Sequence, residues 1–282
     1  MQGNAHYAGA PVIGVIVPVH GFSPYLAETL DCVLAQSPSP DVVVVVDDAS
    51  PLPLVLHDDH APHCRLVRRE QCGGAAGARA SGLAALGREV SLVALCDADD
   101  SWLPGKLARQ QAALVGAPDA VACFSRALIV GSDGRATGER WSEMRPGLHA
   151  GQELLTGLYK ANPIPTSSVV LRRDALDAIG GFDSEVRIVE DWDMWLRLAA
   201  GGGGFVCLAE TLVRYRRHPG GLTADVERLA RRQLELHRAH GDLVSAAVRE
   251  AALAADGAAL RSAKRRGRGL RALVPQRDPY RR

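Results

Sequence analysis

Two apolar runs that break off into aspartates constrain the fold of this chain more than any other feature. Residues 42–48 read VVVVVDD and residues 92–100 read LVALCDADD. A run that is aliphatic at every position leaves no face for water, so each predicts a strand covered on both sides, as in the middle of a largely parallel sheet. Helix-like segments alternate with such runs: residues 23–36 follow VIGVIVPV (12–19), and the Gly/Ala-rich residues 74–87 follow CRLVRR (64–69). This alternation predicts an α/β fold with helices on both faces of the sheet. In open sheets of this kind ligands bind beyond the carboxyl ends of the strands. Asp47, Asp48, Asp97, Asp99 and Asp100 fall there.

Carboxylates crowded in a poorly solvated place raise one another's pKa, and they cannot all ionise without a compensating cation. Oxygen donors favour Mg²⁺ or Mn²⁺, and Mg²⁺ usually sits on one or two carboxylates plus substrate phosphates. The acids therefore imply a phosphorylated substrate. A plainer reading has Asp99, Asp100 and Ser101 capping a helix that begins near Trp102 and Pro104. One side chain suffices for a cap, so this explains Asp100 better than Asp97 or Asp99. A D-x-D can also open a phosphatase or phosphotransferase site with an aspartate nucleophile. The P-loop sequence GxxxxGK[ST] is absent, and CGGAAGARASG does not fit the dinucleotide pattern GxGxxG.

At 282 residues the chain can bury a substantial core. Its formal net charge of +1, with 23% charged residues, gives no global sign of nucleic-acid binding. Six cysteines without a CxxC pair point to a reducing, cytoplasmic setting. The amino terminus lacks the basic start of a signal peptide, and no stretch approaches the ~18 apolar residues of a membrane span. The middle, residues 101–220, reads as less regular, with Trp192, Trp195, Leu196 and Ala199 at helical spacing. From Thr223 to Ala255 the pattern is again helical, with Val226, Leu229, Leu236, Leu243 and Ala247 on one side. Residues 261–282, RSAKRRGRGLRALVPQRDPYRR, read as a disordered or surface-contacting basic tail. Such a tail suits peripheral contact with an anionic membrane.

The segments VIVPVHGFSPYLAETLDCVLAQ, VVVVVDDAS, GGAAGARASGL, LCDADDSWLPGKL, NPIPTSSVVLRRDALDAIGGFD and EDWDMWLRLAAGG, the last followed by LVRYRRHPGGLT, occur in one order. In that order and spacing the chain, over roughly residues 11–223, resembles the family 2 glycosyltransferases of GT-A fold. The resemblance implies a catalytic domain over residues 1–222, with a nucleotide-sugar-binding half (1–100) and an acceptor-binding half (101–222). A helical segment (223–260) and the basic tail would follow. It implies an inverting enzyme that uses Mn²⁺ or Mg²⁺ and a nucleoside diphosphate sugar, UDP-sugar by default. The acceptor would be a sugar, a lipid-linked molecule or a small molecule.

The same resemblance assigns roles. Asp48 would accept from the pyrimidine of the donor, with Pro18 and Val19 lining that pocket. Asp99 would hold the metal, and Asp97 the ribose or the metal. Asp191 would be the base, and the plainer reading makes it the cap of its helix. Arg79 and Arg216 would touch the donor, and His218 would reach the metal or diphosphate. Trp192 and Trp195 would wall the acceptor site, although aromatic residues at helical spacing are more often core. The chain departs from the family at His20-Gly21, where a Tyr-Asn pair is usual, and at Ala80, where Asn is usual. Two rival readings remain: a nucleotidyl- or phosphotransferase on a related sheet, and a non-catalytic sugar-nucleotide binding protein.

Overall fold

The computed structural model describes residues 10–141, 144–221 and 225–273. The chain divides into two compact units at His218/Pro219.

The first unit is built on a ten-stranded mixed sheet. Its strands are β1 (Ile13–Val19), β2 (Val42–Asp47), β3 (Arg65–Arg68), β4 (Leu92–Leu95), β5 (Ser101–Trp102), β6 (Ala120–Val130), β7 (Ala136–Trp141), β8 (Gly147–His149), β9 (Val169–Arg172) and β10 (Gly204–Arg216). The order is β3-β2-β1-β4-β9-β6-β10-β5, with β7 paired to β6 and β8 to β10. The run β3-β2-β1-β4 is parallel, as the unbroken apolar runs predict. β9 then enters antiparallel between β4 and β6, and β6 pairs parallel with β10. The helices are α1 (Leu26–Leu34), α2 (Gly74–Ala85), α3 (Lys106–Gly116), α4 (Gly151–Lys160), α5 (Arg173–Ala178) and α6 (Glu190–Ala200).

Period-two alternation along β1 sorts its residues between the two faces. Val15, Val17 and Val19 share one buried cluster with Leu26, Leu30 and Val33 of α1 and Leu107 and Leu114 of α3. On the other face α2 lies close because Gly82 carries no side chain. A Cβ there would sit 2.4 Å from Cγ2 of Ile16. Each fully buried aliphatic side chain contributes about 1.5–3 kcal/mol, so this two-sided burial supplies most of the unit's cohesion.

Two readings of the sequence are corrected here. The segment after Asp100 does not start a helix: Ser101 and Trp102 pair with Arg214 and Val213 as a strand, and α3 begins only at Lys106. Asp100 therefore caps nothing. The middle of the chain, which reads as irregular, holds the longest strands of the sheet, β6 with 11 residues and β10 with 13. Register shifts in their pairing near Cys207 and Thr211 blur the alternation that would announce them.

The second unit is a helical pair, α7 (Val226–Ala239) and α8 (Ala246–Leu273), joined through a 3₁₀ turn at Gly241–Leu243. Asp225 caps α7 by accepting from Arg228 N at 3.0 Å. The pair is pinned by His237 Nδ1 and Asp256 Oδ2 at 2.5 Å, both residues buried. The single helical stretch expected over 223–255 is thus broken, leaving Leu243 in the turn and Ala247 on the second helix. The basic tail is helical through Leu273, with Ala263 buried, and its last nine positions, 274–282, lie outside the described residues. No helix among the described residues is long and apolar enough to cross a membrane.

Candidate active site

The carboxyl ends of β1, β2 and β4 deliver Pro18 and Val19, Asp47 and Asp48, and Asp97 to Asp100 to one rim of the sheet. Asp47 shapes the turn that follows β2. Its buried carboxylate accepts from Ser50 N at 2.9 Å and Leu54 N at 3.0 Å, and it pairs with Arg68. Burial alone would raise it, but these donors prevail and hold it at about 2. Ala49 turns back with a positive φ of 56°, and Ser50 Oγ accepts from Gly21 N at 2.8 Å.

Asp48, 2% exposed, is enclosed by Arg69 Nε at 2.9 Å, Gly73 N at 3.0 Å and the Cys72 thiol at 3.3 Å. The glycines of α2 make room for that arginine. A Cβ at Gly77 would lie 2.8 Å from the Arg69 guanidinium, which also donates to Ser81 Oγ at 2.8 Å. A pyrimidine imide would reach Asp48 only by taking the place of the Cys72 thiol.

At the end of β4, Asp100 is 1% exposed and locks the loop. Its carboxyl accepts from Ser167 Oγ at 2.5 Å and Arg216 N at 2.8 Å, and its carbonyl accepts from Thr29 Oγ1 at 2.7 Å. Burial, with Asp99 and Asp97 alongside, pushes the Asp100 carboxyl well above the usual range. Asp99 is partly open, its Oδ2 lying 2.9 Å from His218 Nε2. Burial and Asp97 raise its carboxyl, while the His218 contact acts the other way. A half-exposed carboxylate already drawn against an imidazole is a donor pair that fits a divalent cation with open positions for phosphate oxygens. Asp97 does not complete a third arm. Its carboxylate turns to Arg79 Nη2 at 2.5 Å. Among the described residues, the set of three such groups with donor atoms within 4.8 Å of one another is His20, Asp48 and Cys72 instead.

Asp191 stands in the first turn of α6, one residue after the helix begins, and is not its cap, the N-cap being Val189. It is held by Thr166 Oγ1 at 2.8 Å and Asn162 Nδ2 at 3.1 Å on one oxygen and by Trp192 N at 2.7 Å on the other. Burial raises its carboxyl, and the nearby Arg79 charge restrains the rise. Raising the carboxyl makes its carboxylate the stronger base, which suits it to take a proton from a hydroxyl. Arg79 itself, 3% exposed, bridges Asp97 and Glu190, the latter through Nη1 at 2.5 Å.

The structure thus gathers Pro18, Val19, Asp48, Asp97, Asp99 and His218 on the rim and joins Asp97 to the turn that carries Asp191. It does not present Arg79 or Arg216 to a donor. Arg216 is 5% exposed and committed to Asp99 O at 2.8 Å, Glu28 at 2.7 Å and the face of Tyr25 at 4.4 Å. Both arginines brace acids from behind, since a buried guanidinium lowers the cost of gathering them. Trp192 and Trp195 are core: the first donates to Leu158 O at 2.6 Å, and the second packs edge-on to Phe205. Sequence reasoning gave no role to Asn162, Thr166 and Ser167. Their signal was the polar residues on either side of the two prolines in NPIPTSS.

The chain matches the description "Glycosyl transferase family 2" over residues 14–180. It is 32% identical over 207 residues to "Uncharacterized protein Rv1520" of Mycobacterium tuberculosis, a match covering 70% of this chain and 56% of that protein's length. Its fold is similar to that of Staphylococcus aureus TarS 1–349, solved in complex with UDP-GlcNAc (TM-score 0.60, 18% identity, covering 86% of this chain and 71% of that one). It is also similar to that of the mannosyltransferase PcManGT of Pyrobaculum calidifontis, solved with GDP-Man and Mn²⁺ (TM-score 0.62, 18% identity, covering 95% and 77%).

Proposed function

Because the chain belongs to glycosyl transferase family 2, we propose that it is an inverting glycosyltransferase that moves a sugar from a nucleoside diphosphate sugar, UDP-sugar by preference, to an acceptor hydroxyl. One observation carries this reading. Arg79 ties Asp97, at the end of β4, to Glu190, next to Asp191, so donor-side acids and a proton acceptor meet at one rim.

Asp48 accepts the imide N–H of the base, a charge-assisted bond that disfavours a base without that donor. Pro18 and Val19 line the same pocket through their backbone, and Asp97 faces the ribose. Asp99 and His218 hold a divalent cation, Mn²⁺ or Mg²⁺. When bound, it offsets the charge gained by the leaving diphosphate, about 4 kcal/mol per charge pair at 4 Å and an effective dielectric of 20. Asp191 takes the proton from the acceptor hydroxyl as that oxygen attacks the anomeric carbon. The bond from that carbon to the diphosphate oxygen breaks on the opposite face, and its electron pair leaves with the diphosphate. A single in-line displacement inverts the anomeric centre.

The acceptor is a sugar, a lipid-linked molecule or a small molecule. The basic segment 261–282 suits lipid-linked acceptors, each basic residue near an anionic surface being worth about 1 kcal/mol. Calorimetry with UDP, GDP and dTDP, each with and without Mn²⁺, tests the donor. We expect UDP to bind most tightly and only with the metal. Indifference to all three would end this reading.

A further inference from the structure

On the same rim as the carboxylate–imidazole pair of Asp99 and His218 lies a group of different chemistry. His20 at the end of β1, Asp48 at the end of β2 and Cys72 ahead of α2 bring an imidazole nitrogen, a carboxylate oxygen and a thiol sulfur within 4.8 Å of one another. We propose that these three side chains form a site for a zinc-class divalent cation, one that occupies the carboxylate assigned above to the donor's base.

The three donors suit that ion. Nitrogen, oxygen and sulfur from His, Asp and Cys are the ligands of four-coordinate Zn²⁺, and three protein ligands leave one position open. The thiol selects against Mg²⁺ and Mn²⁺, which prefer oxygen. Cys72 Sγ and Asp48 Oδ2 are 3.3 Å apart, close to the separation of about 3.5 Å that Zn–S and Zn–O bonds set at a tetrahedral centre. On binding, the metal takes the sulfur lone pair and the thiol proton goes to solvent.

The surroundings of the group supply what a metal ligand needs. His20 Nδ1 lies 2.8 Å from the carbonyl oxygen of Asp48. A carbonyl can only accept, so Nδ1 carries the ring proton and Nε2 keeps its lone pair. Metal-binding histidines are fixed by such a bond to a backbone carbonyl. The ring is exposed to solvent, from which an ion approaches. Cys72 is exposed, which gives the ion an entry, and Arg69 occupies the other carboxylate oxygen of Asp48, leaving Oδ2 to the metal.

The departure from the family pattern at His20-Gly21 thereby gains a chemical meaning. The occupancy of Asp48 rests on the donor reading above, whereas the site itself does not.

Cobalt(II) titration of the full chain tests the site, because a cobalt–thiolate bond gives a charge-transfer band in the near ultraviolet. We expect the band in the parent, its displacement by Zn²⁺, its loss in Cys72→Ser, and about tenfold weaker cobalt binding in His20→Ala. Both variants change exposed side chains, and circular dichroism checks that they remain folded. UDP titration with Mg²⁺ present forms the second arm. Zn²⁺ should weaken UDP binding by the parent at least several-fold and leave that of Cys72→Ser unchanged. No band in the parent, or an equal band in Cys72→Ser, overturns the site. A parent that gives the band but binds UDP equally well with and without Zn²⁺ overturns the occupancy of Asp48. A parent that gives the band and binds no nucleotide at all sinks the donor reading and upholds the site.

Discussion

Arg79 of α2 and Glu190 of α6, 111 residues apart in sequence, form a 2.5 Å ion pair with both side chains buried. The same guanidinium holds Asp97. Replacing Arg79 by Met leaves two acids without their counter-charge in a poorly solvated place. We expect a loss of about 3–5 kcal/mol in urea unfolding. Adding Glu190→Gln should recover part of that loss, because the pair then carries less uncompensated charge. Equal stability of the single and double variants would show that the pair does not act as a unit.

Asp191→Asn keeps the shape of the residue and removes its capacity to take a proton. UDP affinity should stay within about twofold of the parent, while transfer falls by about 10²–10⁴. In the parent, the acid limb of the pH–rate profile should lie above the ordinary aspartate range, since burial raises this carboxyl. Activity rises with pH through that limb as the base loses its proton. Removing the Arg79 charge in the Arg79→Met protein should carry the limb further up.

Asp99→Ala removes the carboxylate that faces His218. Metal-dependent tightening of UDP binding should vanish in calorimetry, and His218→Ala should reduce it by about tenfold. An unchanged response to Mn²⁺ in both variants would place the cation elsewhere.

Gly77→Ala tests how α2 pins Asp48. The new methyl would stand 2.8 Å from the end of the Arg69 side chain, which is flexible enough to yield. Helix propensity favours the substitution by about 1 kcal/mol, so folding should be little affected. UDP affinity should still change, because Arg69 is moved from the carboxylate it braces.

Lys106 is fully buried, its Nζ lies 3.9 Å from the Trp102 ring centre, and burial brings its pKa down to about 7. Between about pH 7 and the ordinary lysine value, the unfolded chain holds this proton and the folded protein does not. Unfolding then takes up a proton, and stability rises with pH across that window. Lys106→Met should stabilise the protein by about 1–3 kcal/mol at pH 7. The advantage should shrink as pH approaches 10 in thermal melts.

Much of this architecture is legible in the residues themselves. Val42–Val46 and Leu92–Leu95 have no polar face, which marks strands covered on both sides. The acids at their ends then fall at the rim by topology alone. Other features leave no local trace. The two-residue strand Ser101–Trp102 is too short to show a period, and it exists because β10 offers it partners. The Arg79–Glu190 pair and the bracing of Asp100 by Ser167 arise only when distant segments close up. The break between α7 and α8 did have a sign in Gly241, but the apolar spacing runs across it and hides the turn.

Asp100 receives one of its hydrogen bonds from the backbone of Arg216, the last residue of β10, 116 positions further along. A nascent chain that has emerged only as far as β9 therefore holds a crowd of acids with neither that amide nor the Arg216 guanidinium behind it. The rim from Asp97 to Asp100 gains these partners only once β10 has been made, so we expect its order to arrive late in translation.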